Sequence, residues 1–162
     1  MILLAGPSGS GKSSLTLAAQ FQGLEVLSED TIYVQLDPHL RIWGWPGAIH
    51  LDSADAPPGA FPQRLRGGRA KSAIPRTLAR SFADRAIMLA IECGSALGLE
   101  QTGAAELVAM LAPSEPGFAL LRSEIGQALG ALAQAGGWRM TLNKSAGEAV
   151  TLLRKRFGSE GL

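Results

Sequence analysis

Cysteine is almost missing from these 162 residues, with Cys93 standing alone. One thiol excludes an intrachain disulfide, and it excludes a zinc centre built on several cysteines. An excess of one charge is lacking too: 15 Lys and Arg face 14 Asp and Glu, for a formal net charge of +1. Such a balance argues against the broad basic surface that nucleic acid or an anionic membrane selects. Long apolar runs are also missing. Residues 1–5 are too short for the apolar region of a secretory signal and have no basic start, and residues 86–91 are far too short to span a bilayer. These absences lead to the expectation of a cytoplasmic protein whose partners include neither nucleic acid nor membrane. His39 and His50 are isolated, without ligand-like spacing, so ordinary structural places are expected for both. No serine, histidine and acid arrangement suggests a hydrolase triad, no Leu-Ser-Gly-Gly-Gln run suggests an ABC-type ATPase, and no internal repeat stands out.

What is present is Gly6-Pro7-Ser8-Gly9-Ser10-Gly11-Lys12-Ser13, the G-x-x-x-x-G-K-S spacing of a phosphate-binding loop. Ile2-Leu3-Leu4-Ala5 before it suits a short buried strand. The residues from Ser14 to Phe21 suit a helix with Leu15, Ala18 and Ala19 on one face. In that setting glycines let backbone N–H groups curl around phosphate oxygens, and the helix start adds partial positive charge. Gly6, Ser8, Gly9, Ser10, Gly11, Lys12, Ser13 and Ser14 are therefore the expected contacts of ATP, with Lys12 reaching the β- and γ-phosphates and the Ser13 hydroxyl on Mg²⁺.

At this length a single domain over residues 1–162 is expected, burying roughly two thirds of the unfolded surface. Gly23 reads as a helix stop and Leu24–Ser28 as a second strand, followed at its end by Glu29 and Asp30. Thr31–Leu36 and Leu40–Trp45 read as a hairpin around Asp37-Pro38-His39. From Pro46 to about Pro75 the pattern weakens into a long surface loop carrying Arg64, Arg66, Arg69 and Lys71. That loop is either a substrate-contacting segment or a solvated basic one. Residues 86–91 suit a central strand ending in Glu92. Thr102 is placed to cap a helix running through Leu111, and apolar residues from Phe118 to Leu132 recur at helical spacing up to Gly136-Gly137. A late strand, Trp138–Leu142, precedes a final helix whose Ser145 and Glu148 have the spacing of a capping box. This order defines an α/β chain.

Two acidic elements compete for the chemistry. Glu29 and Asp30 would supply one carboxylate to accept a hydroxyl proton and another to support Mg²⁺, whereas Glu92 ends an apolar strand in the manner of a Walker-B acid. Trp43 and Trp45 are expected in core or loop-anchoring places, and Cys93 as a small packed residue.

The loop, its helix and Leu24-Glu25-Val26-Leu27-Ser28-Glu29-Asp30 together resemble the HPr kinase/phosphorylase family, and later segments around Trp43–Leu51 and Ala86–Glu92 resemble its divergent members. The resemblance implies a P-loop mixed β-sheet flanked by helices, like the C-terminal domain of HPr kinase, shortened at its N-terminal strands. It implies an ATP- and Mg²⁺-dependent kinase acting on a serine hydroxyl of a protein or peptide, with Lys12 on the nucleotide, Ser13 and Glu29 at the metal, and Asp30 as the base. The first member of the acid pair departs from the family, being Glu29 where the parent family carries Asp. A small-molecule kinase on the same scaffold and a non-catalytic nucleotide-binding regulator are the alternative readings, and a homo-oligomer is left open.

Overall fold

The computed structural model describes all residues except 53, 55, 65–69, 76–80, 113–118, 135, 144 and 159–162. In chain order the elements are β1 (Ile2–Ala5), α1 (Lys12–Phe21), β2 (Ile32–Gln35), β3 (Arg41–Gly44), β4 (Ile49–Asp52), β5 (Phe61–Arg64), β6 (Ala70–Ile74), β7 (Phe82–Ala83), β8 (Ile87–Cys93), β9 (Gly98–Thr102), α2 (Ala104–Leu111), α3 (Arg122–Ala133), β10 (Gly137–Leu142) and α4 (Ala146–Phe157).

The run beginning at Ile87 is apolar at successive positions because both of its faces are covered. Met88 and Ala90 point into a core with Leu107 and Leu111 of α2 and Leu129 and Leu132 of α3. Leu89 and Ile91 point the other way, into a core with Leu15 of α1, Met140 of β10 and Val150 and Leu153 of α4. β1 and β10 flank β8 in parallel, and β9 runs antiparallel along β10, in the order β1-β8-β10-β9. The chain is thus mixed α/β, with helices on both faces of a mixed sheet.

Two smaller sheets adjoin it. β2 and β3 form the expected hairpin, with Tyr33 opposite Trp43, and β7 extends it through Phe82 opposite Trp43. Ile32, Val34 and Ile42 of this sheet pack on the first core. Alternation along the strands therefore turns Tyr33, Trp43 and Phe82 outward.

The segment expected as a long loop contains a three-stranded antiparallel sheet, β4-β6-β5. Ile49 and Leu51 alternate with His50 and Asp52, and together with Ile74 they bury Leu17 of α1. Strands of four or five residues interrupted by the turn at Pro57–Ala60 give almost no periodic signal, which is why the sequence reads as loop. Arg64 and Lys71 fall on β5 and β6, whereas Arg66, Arg69 and the Gly67-Gly68 pair lie outside the described residues.

Other expectations also need correction. Leu24–Ser28 is not a strand. Gly23, at φ 79°, ends α1, and the Leu24 amide is taken up by the Ala19 carbonyl in a helix-capping bond of 3.0 Å. The chain then runs irregularly past Gly44, which approaches the Leu27 carbonyl too closely to carry a side chain. Thr102 ends β9, a strand the sequence reading missed, and Gly103 precedes α2 in the N-cap position. α3 begins only at Arg122, and Phe118 lies outside the described residues. Ser145 precedes α4 as expected but makes no side-chain capping bond; its own amide donates to Asn143 Oδ1 at 2.9 Å.

Candidate nucleotide site

The loop from Gly6 to Gly11 leaves the carboxyl end of β1 and enters α1 directly. Gly6, Gly9 and Gly11 have φ of 151°, 83° and 92°, so the turn is built where only glycine is relaxed. The first intrahelical bond runs from the Leu15 amide to the Gly11 carbonyl at 2.9 Å. The amides of Lys12, Ser13 and Ser14 therefore precede it, as the orphan donors of a helix start.

Lys12 Nζ donates to the carbonyls of Gly6 and Pro7, both at 2.8 Å, holding the ammonium over its own loop. An ammonium has three donors, so one remains for an anion. Ser10 is 2% exposed, and its hydroxyl has no hydrogen-bond partner among the described residues. Ser8, Gly9 and Ser14 are exposed along the rim.

Ser13 Oγ donates to Glu29 Oε1 at 2.6 Å, the short distance of a hydroxyl on a carboxylate. The acid arrives from the irregular segment after α1 rather than from a strand end. That segment is pinned to the hairpin through Ser28, whose hydroxyl donates to the Thr31 carbonyl and accepts from the Trp45 amide at 3.2 Å. Asp30 is exposed and has no hydrogen-bond or ion-pair partner among the described residues. The pair thus divides, Glu29 turning inward to Ser13 and Asp30 outward to solvent.

Glu92 comes to the same end of the sheet from β8. It is exposed and accepts a hydrogen bond from Thr141 Oγ1 at 3.2 Å. Its neighbour Cys93 is exposed rather than packed, and the thiol stands 3.7 Å from the Gly9 carbonyl at the lip of the loop. Of the core and loop-anchoring places expected for Trp45 it does not take the first, being 55% exposed; its backbone is bonded to Ser28, and its ring lies 5.8 Å from that of Tyr33.

His50 is the residue that sequence reasoning passed over. Its Nδ1 stands 3.6 Å from Glu29 Oε2, on the oxygen opposite the one serving Ser13. The only trace of it in the sequence is the alternation Ile49-His50-Leu51-Asp52, four residues long and too short to stand out as a strand, which in β4 sets His50 on the face away from the apolar pair. His39, by contrast, is exposed on the hairpin, where its Nε2 lies 2.9 Å from an Arg41 guanidinium nitrogen.

These donors suit a phosphate chain and a hard cation: orphan helix amides, a lysine with a free donor, an unpartnered buried hydroxyl, and a hydroxyl and a carboxylate of the kind Mg²⁺ takes as ligands. No family model, curated protein or solved structure matches the chain. No helix among the described residues is long and apolar enough to cross a membrane.

Proposed function

We propose that the chain is an HPr-kinase-like P-loop kinase, binding ATP and Mg²⁺ at Gly6–Ser14 and phosphorylating a serine hydroxyl of a protein or peptide. The observation that carries this reading is the hydrogen bond from Ser13 to Glu29, because it brings onto the phosphate loop's hydroxyl a carboxylate from outside the loop and its helix, the donor pair that a hard cation takes. A hydroxyl can present a lone pair to Mg²⁺ while its own O–H continues to donate to Glu29. The bound cation, held by Ser13 and Glu29, would neutralise charge on the phosphate oxygens.

The remaining steps belong to the chain's own groups. The helix amides and Lys12 orient the triphosphate. The acceptor oxygen bonds to the γ-phosphorus, the bond from that phosphorus to the β–γ bridging oxygen breaks, ADP leaves, and the hydroxyl proton passes to Asp30. An exposed carboxylate suits an acceptor that arrives from solvent. The outward face of Tyr33 and Trp45, with Trp45 bonded to Ser28 beside the acid pair, supports a polypeptide acceptor over a small molecule.

The test is calorimetry of ATP with Mg²⁺ together with mass spectrometry of candidate acceptors after incubation. Lys12→Ala should weaken ATP binding sharply, and the parent should add a phosphoryl group to a polypeptide serine. Equal ATP affinity in the variant would remove the loop as the site. Phosphorylation of small molecules alone would move the reading to the second kind of kinase, and binding without transfer would make the chain a nucleotide-responsive regulator.

A further inference from the structure

We infer that His50 is a positioning residue for the metal end of this site, fixing the Glu29 carboxylate so that one oxygen always faces Ser13. The inference rests on the nucleotide-binding reading above. Glu29 has a side chain only 10% exposed, so its carboxylate is largely withdrawn from water and depends on protein partners for both oxygens. Ser13 takes Oε1 at 2.6 Å, and His50 Nδ1 faces Oε2 at 3.6 Å. Without the second contact, rotation about the terminal bond of Glu29 would no longer be opposed from the far side.

The placement of His50 follows from β4. Ile49 is 0% and Leu51 5% exposed against Leu17 of α1, so a slip of one residue would expose both and turn His50 inward. The register is therefore set by apolar burial, and the ring is delivered to Glu29 as a consequence. Opposite His50 in the sheet is Ala73, which offers no side-chain polar group to compete for the imidazole. The geometry requires only a ring nitrogen facing Oε2. Groups that orient a metal-associated carboxylate typically change metal affinity by about 10–100-fold when removed.

The test measures how much Mg²⁺ strengthens ATP binding, using calorimetry with ATP in the presence of Mg²⁺ and of a chelator. His50→Leu keeps a strand-compatible side chain but removes the nitrogen. It should shrink the Mg²⁺-dependent gain in ATP affinity by about tenfold or more, while metal-free ATP affinity and the urea midpoint stay close to the parent. His50→Asn, which returns a side-chain nitrogen near the position of Nδ1, should restore most of the gain. Should His50→Leu fail to fold, His50→Ala is read on the same scale. An undiminished gain in the apolar variant would overturn the inference, as would a loss that Asn does not rescue. A parent protein that binds no ATP at all would instead overturn the nucleotide reading, and the role of His50 with it.

Discussion

Replacing Gly6 by alanine tests whether the phosphate loop is as tightly seated on the sheet as its geometry requires. Gly6 has φ of 151°, where side chains are strained, and a Cβ built there runs into the backbone oxygen of Ile91 and stands 3.2 Å from Ser10 Oγ. Ile91 belongs to the central strand β8, so its carbonyl cannot swing aside as the end of a flexible side chain would. The strained conformation costs about 1–3 kcal/mol. Forcing loop and strand apart costs about 1–3 kcal/mol more. Gly6→Ala should therefore lose about 2–6 kcal/mol out of a total stability of about 5–15 kcal/mol. Gly9→Ala is the matched control: φ is 83°, but nothing lies within 4 Å of the added carbon, so only about 1–2 kcal/mol of conformational cost applies. Urea unfolding followed by circular dichroism measures both, with the slopes compared to confirm that midpoint shifts report stability. If Gly6→Ala unfolds at the same urea concentration as Gly9→Ala, the loop is not packed against β8 and the site geometry derived from it fails.

Leu15→Ala removes a side chain 1% exposed at the centre of the core shared by α1, β8 and α4, and should cost about 2–5 kcal/mol in the same urea assay. A loss under about 1 kcal/mol would mean that α1 is not seated there. Neutralising Arg64, Arg66, Arg69 and Lys71 together should lower phosphotransfer while leaving ATP affinity nearly intact, if those cations contact the acceptor or the transferring phosphoryl group. Unchanged turnover would return the segment to a solvated basic stretch.

The elements legible in the sequence are those with one dominant signal. β8 is apolar at successive positions because it is buried on both faces, and α1 carries Leu15, Ala18 and Ala19 on one face; α4 is expected from the Ser145–Glu148 spacing, and it forms there without the side-chain cap that spacing suggests. The sheet β4-β6-β5 has little such signal, since its strands are only four or five residues long and the turn at Pro57–Ala60 separates β4 from β5. Leu24–Ser28 misleads in the opposite direction, its apolar alternation being overridden by the capping of α1 and the close approach of Gly44. The candidate site divides in the same manner. Its loop is contiguous and could be read directly. The meeting of the loop with the Glu29–Asp30 pair is expected from the sequence, but by way of a strand end that the chain does not form, and the contact of Glu29 with His50 depends on a sheet the sequence reads as loop.

Substituting the three acids one at a time decides which of them accepts the proton in the proposed transfer. Glu29 is committed to Ser13, so two candidates remain, and they differ in what already holds them. Glu92 receives the Thr141 hydroxyl at 3.2 Å, whereas Asp30 has no partner among the described residues and stands exposed next to Glu29. A base must be free to take a proton from a group that approaches from solvent, and this favours Asp30. Asp30→Asn keeps the shape and removes the proton acceptor, so serine phosphorylation should fall by about 10²–10⁴-fold while ATP affinity survives. Glu29→Gln should act differently, raising the Mg²⁺ requirement because its altered group lies on Ser13. Glu92→Gln should stay within a few-fold of the parent rate, since the amide oxygen can still accept from Thr141. Initial rates of phosphoryl transfer at saturating ATP, measured over a range of Mg²⁺ concentrations, separate the three. Parental transfer by Asp30→Asn together with its abolition in Glu92→Gln would assign the base to the end of β8, and the acceptor would then have to approach across the loop beside Cys93 rather than along the aromatic hairpin.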